Sequence, residues 1–197
     1  MEMQTLQNKT TWVAVALMLL MALTRYNHFG SSVTLPDASY AVFFLGGLYL
    51  GRMRGALVVL TLLLAEAALV DYYAISFNGV SAWCVTSAYG FLAVAYAALW
   101  FIGRRFATRH DLSGKGLLGL FAVSVVAVSA AFVIANVSFY LLAGYFGSMS
   151  IAEYASRVAQ YYASYLAVAV IYIGCAVVVQ MLYAMLMGKE QRDTKAV

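Results

Sequence analysis

The stretch Leu117–Leu142 reads LLGLFAVSVVAVSAAFVIANVSFYLL and contains no charged residue. A helix needs about 20 consecutive apolar residues to cross the roughly 30 Å hydrocarbon core of a bilayer, so this stretch is long enough to span a membrane. Five further apolar stretches run over about residues 11–23, 38–50, 55–70, 83–102 and 158–187. We therefore predict an all-α membrane protein with a bundle of six transmembrane helices, forming a single integral membrane domain over residues 1–197.

Positive charge is distributed unevenly between the two sides of this predicted topology. When the amino terminus is placed in the cytoplasm, only Arg25 and Arg157 of the twelve Lys and Arg residues fall outside. Short cytoplasmic loops of membrane proteins carry an excess of Lys and Arg. We therefore predict that both termini are cytoplasmic. The residues on the cytoplasmic side are Lys9, Arg52, Arg54, Arg104, Arg105, Arg109, Lys115, Lys189, Arg192 and Lys195.

The overall composition excludes several other classes of protein. Hydrophobic residues make up 64% of the chain and charged residues 10%, whereas soluble domains contain about 25% charged residues. The net charge of +4 is explained by cytoplasmic loops that face anionic headgroups. The basic residues are not interleaved with aromatics as a surface for single-stranded nucleic acid would be, so we expect no nucleic-acid partner.

Polar and aromatic residues concentrate in the predicted external loops, at about residues 24–37, 71–84 and 143–157. The first two apolar stretches are short, since 13 residues of helix cover only about 20 Å. Short helices leave a recess at the outer face, over which these loops can close. Aromatics also form belts at membrane interfaces, which is the alternative explanation for any single tyrosine. The accumulation on one side favours a site for a large ligand with an apolar body and polar edges.

The two cysteines occupy different environments in the predicted bundle. Cys84 lies at the outer end of the fourth span, where the positive end of a helix favours the thiolate. Cys175 lies about 25 Å deeper in the last span, so we expect a small buried packing residue that cannot pair with Cys84. The two histidines, His28 and His110, fall on opposite sides of the membrane, which argues against a zinc site. Glu66 is an ionisable residue inside the third span, which suits either a functional or a structural role.

Two short sequences and one arginine resemble one known family of transport proteins. The stretches Val70–Tyr73 (VDYY) and Trp83–Gly90 (WCVTSAYG), together with Arg157 before the last helix, resemble the cobalamin-specific, BtuM-like S-components of energy-coupling factor (ECF) vitamin transporters. The resemblance covers the whole chain. It implies the ECF S-component fold, in which a six-helix protein of the bacterial inner membrane captures cobalamin on the periplasmic side and carries it across the bilayer.

The resemblance also implies roles for individual residues. Cobalamin contains a corrin ring with apolar faces, a rim of amides, and a central cobalt ion for which a thiolate is a soft donor. We expect the Cys84 sulfur to bind the cobalt as an axial ligand and, by donating electrons, to promote loss of cyanide from cyanocobalamin. The other expected cobalamin-binding residues are Asp71, Tyr73, Asn78, Tyr89, Arg157 and His28.

Two questions stay open at the level of sequence. S-components that dock on a shared energising module, built from a membrane subunit and ATPases, carry small residues four apart on the first helix. Here the bulky Met18 stands at the centre of that pattern, whereas Gly47, Gly51 and Gly55 keep the spacing elsewhere. The chain therefore either uses such a module or acts alone. Two other functions also fit: an S-component for another vitamin, or a membrane enzyme with Cys84 as nucleophile and His28 as base.

Overall fold

The computed structural model describes the backbone of residues 2–25 and 35–195, and the side chains of residues 9–25 and 35–186. Over these ranges the chain forms α-helices and no β-strand. A short 3₁₀-helix, Ala82–Cys84, lies between the third and fourth α-helices. The six α-helices are α1 (Glu2–Arg25), α2 (Ser39–Leu50), α3 (Ala56–Phe77), α4 (Phe91–Phe106), α5 (Gly114–Leu142) and α6 (Ile151–Lys195).

Three of these helices are long and apolar enough to cross a membrane: α3, α5 and the part of α6 from Ile151 to Leu186. Their large apolar side chains point away from the bundle, as shown by Leu62 (49% exposed), Val126 (61%) and Leu182 (55%). Monomeric soluble proteins rarely expose large contiguous apolar surfaces, so this outer surface is suited to lipid. The prediction of an all-helical membrane protein is confirmed, with three helices that have the dimensions of a membrane span.

The central element is α2, which contacts each of the other five helices. Ten of its twelve residues are buried, because the helix is apolar on all sides. It packs most closely against α4: a Cβ atom on Gly47 would overlap the carbonyl of Trp100, and one on Gly103 would overlap the carbonyl of Phe44. Glycines allow the two backbones to approach in this way, as small residues do in membrane bundles.

The small residues considered for docking to a partner mostly lie inside the bundle. Gly47 and Gly51 are buried, and Gly51 faces the side chain of Arg104. Gly55 instead begins α3 in the left-handed conformation, at φ 83°. On α1, Ala14 and Met18 pack against the hydrophobic core. The four-residue spacing therefore serves packing between helices at these positions.

Several predicted boundaries are wrong, and the differences matter for the site. The fourth span was expected to begin at residue 83, but α4 begins at Phe91 after the 3₁₀-helix. Asp71 was expected in a loop, but α3 continues to Phe77 and ends just before Gly79, whose φ of 67° suits only glycine well. Arg157 lies inside α6, which begins at Ile151. Apolarity alone misses the ends of α3 and α6 because amphipathic turns continue these helices beyond their apolar parts. It misses the start of α4 because residues 83–90 form the 3₁₀-helix and turns.

Candidate ligand-binding site

An open cavity of about 630 Å³ lies at one end of the bundle. It is formed by the last turns of α1, α3 and α5, the first turns of α2, α4 and α6, and the 3₁₀-helix. The volume falls within the range of about 300–1,000 Å³ that is typical of small-molecule sites. The central helix α2 has 12 residues and is therefore about 18 Å long, so it leaves the expected recess at this end. Asp37 and Tyr40, at the start of α2, line the cavity.

The floor of the cavity is built around the guanidinium group of Arg25, the last residue of α1. Its side chain is only 2% exposed. Nε donates to Oδ1 of Asp71 at 2.8 Å, and Nη2 donates to Oδ2 of the same residue at 2.6 Å. Nη1 donates to the hydroxyls of Ser39 (2.9 Å) and Tyr96 (2.6 Å). A single side chain of α1 therefore joins α2, α3 and α4.

A second carboxylate accompanies this ion pair. Oδ2 of Asp37 lies 3.7 Å from Nη1 of Arg25, and Oδ1 of Asp37 accepts hydrogen bonds from the backbone N–H and the hydroxyl of Ser39. One buried guanidinium thus lies between two carboxylates that both line the cavity. Burying an unpaired charge is costly, so the pairing explains how Arg25 is accommodated at the base of a lipid-exposed bundle.

Two of the predicted binding residues, Asp71 and Tyr89, meet at the cavity wall. The hydroxyl of Tyr89 donates to Oδ2 of Asp71 at 2.7 Å. Partial burial raises the pKa of Tyr89, and its hydrogen bond to the Asp71 carboxylate raises it further, so the phenol stays protonated and remains a donor. Asp71 accepts three hydrogen bonds from Arg25 and Tyr89, and a carboxylate offers about four acceptor positions. Oδ1 of Asp71 therefore keeps capacity for one donor from a ligand.

Cys84 lines the same cavity, and its side chain is exposed. The expectation that a helix end favours its thiolate is wrong, because α4 begins only at Phe91 and Cys84 belongs to the 3₁₀-helix. Desolvation at the cavity wall raises the pKa of Cys84, and the negative charge of Asp71 raises it further. The group that faces the cavity at neutral pH is therefore a protonated thiol.

An aromatic cluster holds the 3₁₀-helix in place. The rings of Trp83 and Tyr145 are stacked, with centroids 5.0 Å apart and an angle of 9° between the planes. Phe139 of α5 meets Trp83 edge-on at 5.1 Å, and Phe146 meets Phe139 at 5.6 Å. The hydroxyl of Tyr145 also donates to the carbonyl of Trp83 at 3.2 Å. Some of the aromatic residues that accumulate on this side of the bundle therefore serve to position Trp83, which precedes Cys84 in the chain.

Arg157 lines the cavity from α6 and is exposed. Nη2 of Arg157 lies 2.7 Å from Oε1 of Glu153, one turn earlier on the same helix. An exposed pair of this kind contributes only about 0.3–0.5 kcal/mol to stability. Arg157 is therefore held near the cavity without being required for the fold.

The remaining predicted binding residues are placed differently. Tyr73 lies on α3 with its ring 5.0 Å from that of Phe77, and Asn78 follows the last turn of that helix. Neither residue lines the cavity. His28 falls outside the described residues. His110 is found at the other end of the bundle, where its Nε2 lies 3.1 Å from Oε1 of Gln180.

Two residues from the spans also lie away from the site. Cys175 is exposed on α6, so the expectation of a buried packing residue is wrong; the buried face of this helix is formed by Ala169, Ile173 and Val177. Cys175 and Cys84 are both free thiols, as expected. Glu66 is half-buried on α3 and does not line the cavity, and its Oε2 has no hydrogen-bond partner among the described residues.

Sequence reasoning missed the contribution of Tyr96 to the site. This residue lies inside an apolar helix and belongs to no recognisable sequence motif. Its hydroxyl accepts from Arg25, and its ring stacks on Phe43 with centroids 4.3 Å apart. The spacing of seven residues from Tyr89 is the one signal available, because it corresponds to about two helical turns.

Comparison with known proteins finds neither a matching family model nor a significant match among curated proteins.

Proposed function

We propose that this chain is a six-span protein of the bacterial inner membrane that binds cobalamin in the cavity and mediates its uptake from the periplasm. The observation that carries the proposal is the position of the Cys84 thiol. It faces a cavity whose lining also includes aromatic rings and the polar side chains of Asp71, Tyr89 and Arg157. This combination offers one soft donor, apolar surface and several hydrogen-bonding groups around one open space.

The chemistry of cobalamin matches these three properties. The faces of the corrin ring are apolar and suit contact with Trp83 and the neighbouring aromatic side chains. The amides on the rim can donate to the free acceptor position of Asp71 or accept from the guanidinium of Arg157. Cobalt is bound well by a sulfur donor, and among the described residues that line the cavity the sulfur atoms are those of Cys84 and Met149, of which Cys84 carries the thiol.

Ligation of cobalt requires that the thiol lose its proton. Sulfur then donates an electron pair to cobalt(III), and electron donation weakens the bond on the opposite face of the corrin. For cyanocobalamin, the Co–C bond breaks with its electron pair on cyanide, which takes up the proton released by Cys84 and leaves as HCN. Cobalt keeps its oxidation state, the thiolate would stay bound on its own face of the corrin, and the position left by cyanide would be open to water. Removal of cyanide is thus a chemical consequence of binding.

The distribution of charge supports the proposed orientation. Arg25 and Arg157 lie at the end of the bundle that carries the cavity. The other described basic side chains lie towards the opposite end: Lys9, Arg52, Arg54, Arg104, Arg105, Arg109 and Lys115. An excess of positive charge marks the cytoplasmic side, so the cavity faces the periplasm and both termini face the cytoplasm. In this arrangement the shorter helices α2 and α4 lie within the membrane and pack against the longer ones.

Of the two alternatives for transport, with or without an energising module, the packing of the small residues favours transport without one. The small residues Gly47 and Gly51 are buried between α2 and α4, and Ala14 packs against the core. They are therefore engaged within the bundle. An ECF module would need to dock on another surface of the chain.

The visible spectrum of the purified complex with cobalamin tests the proposal. We expect a coloured preparation whose cobalt absorption bands shift when sulfur binds, and we expect the Cys84→Ser variant to lack that shift and to release no cyanide. Cys175→Ser is the matched control, since it removes an exposed thiol that lies away from the cavity. If Cys84→Ser gave the wild-type spectrum, sulfur would not bind the cobalt. If wild-type protein bound no cobalamin and stayed colourless, the function would revert to a carrier for another vitamin.

The enzyme alternative receives less support from the site. A nucleophilic cysteine usually has a lowered pKa, whereas the pKa of Cys84 is raised by desolvation and by Asp71. The expected general base, His28, is outside the described residues. An enzyme would be supported if the wild-type protein acted on an acyl or phosphoryl substrate and the His28→Ala variant lost that activity.

A further inference from the structure

A second cavity, of about 560 Å³, lies at the end of the bundle opposite Cys84. Its lining consists of three arginines, one hydroxyl residue and one aromatic residue: Arg52, Arg104, Arg105, Thr108 and Phe101. All three arginines are exposed, and the ring of Phe101 is 46% exposed. None of these residues belongs to the cobalamin site.

The close packing of α2 against α4 brings the arginines together. Arg52 follows the end of α2, whereas Arg104 and Arg105 occupy the last turn of α4. A Cβ atom on Gly51 would lie 2.8 Å from Cβ of Arg104, so the stem of that side chain crosses directly over the end of α2. The glycine contacts that bury α2 therefore also bring together the helix ends that carry the three arginines.

The positive charge of this cavity exceeds what the helix ends can balance. The carboxyl ends of α2 and α4 each carry the equivalent of about half a negative charge, which together offset about one of the three positive charges. Among side chains 9–25 and 35–186, no carboxylate forms an ion pair with Arg52, Arg104 or Arg105. Interaction with the helix ends therefore balances about one of the three positive charges. The remaining excess of about two positive charges attracts an anion.

We propose that this cavity binds the phosphate group of an anionic phospholipid. Guanidinium groups bind phosphate oxygens through paired hydrogen bonds, and Thr108 adds a hydroxyl donor. Basic pockets between transmembrane helices are known to accept anionic headgroups. A free phosphate ion shares this chemistry, but the exposed ring of Phe101 beside the arginines suits the apolar part of a lipid. The site is independent of cobalamin binding.

The test uses the full-length protein in a neutral detergent. Binding of phosphatidylglycerol, phosphatidylcholine and inorganic phosphate is measured by native mass spectrometry and by the shift in the thermal unfolding midpoint. We expect saturable binding of phosphatidylglycerol, with affinity reduced about tenfold or more in Arg52→Gln and in Arg105→Gln. Both variants change exposed residues, and their unfolding midpoints without lipid show whether the fold is kept.

Arg54→Gln is the matched control, because it removes an exposed positive charge two residues from Arg52 that does not line the cavity. An affinity within about twofold of wild type in this variant supports a defined site. The proposal is overturned if Arg54→Gln weakens binding as much as Arg52→Gln, if phosphatidylcholine binds as tightly as phosphatidylglycerol, or if only inorganic phosphate binds.

Discussion

At the scale of the residue, Arg25 is the side chain on which the shape of the cavity floor depends. It makes hydrogen bonds to residues of α2, α3 and α4 while being almost completely buried. Its main partner, Asp71, also accepts from Tyr89 at the cavity wall. Asp71 was predicted to bind ligand directly, and the structure adds that most of its acceptor capacity is used to hold Arg25 and Tyr89. Asp71 therefore builds the site, and we expect the same residue to bind the ligand.

Removing Arg25 is expected to be strongly destabilising. Breaking a buried ion pair by deleting one partner costs about 3–5 kcal/mol, because the other charge stays buried without compensation. We expect Arg25→Ala to lower the midpoint of thermal unfolding in detergent by many degrees. Arg157→Ala, which breaks only an exposed pair with Glu153, should change the free energy of unfolding by about 0.5 kcal/mol or less. Equal midpoints for the two variants would contradict the assignment of Arg25.

The raised pKa of Cys84 predicts how cobalamin affinity depends on pH. Because the thiol is protonated at neutral pH and the proposed ligand of cobalt is the thiolate, each binding event should release one proton when the cobalamin carries no cyanide. The association constant should therefore rise with pH, by up to about tenfold per unit, until the pH passes the thiol pKa. Titration followed by absorbance at several pH values measures this slope, and Cys84→Ser should abolish it. A slope of zero in the wild-type protein would show that the thiol does not bind the metal.

At the scale of the element, the 3₁₀-helix Ala82–Cys84 interrupts what the sequence presents as one long apolar segment. Ser81 caps it by accepting from the N–H of Trp83 at 3.2 Å, and α4 starts only at Phe91. The interruption places Cys84 on the cavity wall instead of in a helix. The stack of Trp83 on Tyr145 then fixes this short element against the segment after α5.

Weakening that stack should disturb Cys84 without unfolding the bundle. An aromatic pair contributes about 0.5–1.5 kcal/mol beyond its buried area, so Tyr145→Ala is expected to reduce cobalamin affinity by up to about tenfold. It should also speed the reaction of Cys84 with a maleimide reagent. Tyr145→Phe keeps the ring and should behave almost as wild type. Tyr145 does not line the cavity, so an equal effect of both variants would point to the hydroxyl and against the stack.

At the scale of the whole molecule, basic side chains are distributed unequally between the two ends of the bundle. One end carries the cavity with Arg25 and Arg157, and the other end carries seven of the described basic side chains. The apolar outer surfaces of α3, α5 and α6 lie between the two ends. This arrangement predicts a single orientation in the membrane.

Cysteine labelling checks the orientation directly. A membrane-impermeant maleimide should label Cys84 in intact spheroplasts of cells that express the Cys175→Ser variant. In a chain that carries Cys84→Ser and Cys175→Ser, Arg109→Cys should be labelled only after the membrane is permeabilised. Labelling in the reverse pattern would invert the proposed topology and place the cavity on the cytoplasmic side.

The amino-acid sequence by itself determined the features that depend on local composition. The absence of charge over Leu117–Leu142 predicted a long apolar helix, and the clustering of Arg104 and Arg105 predicted a basic end of the bundle away from the cavity. The recess above α2 followed from the shortness of its apolar run. These inferences succeed because hydrophobic burial and the membrane field act on each segment almost independently of the others.

Only the tertiary structure decided which residues meet. Arg25 and Asp71 are 46 positions apart, and Arg25 and Tyr96 are 71 apart, so no periodicity of the sequence connects them. The same holds for Cys84, because desolvation at the cavity wall and, secondly, the negative charge of Asp71 raise its pKa instead of lowering it. The physical reason is that hydrogen bonds and charge interactions act over a few ångströms, and the distances between side chains are known only once the helices are packed.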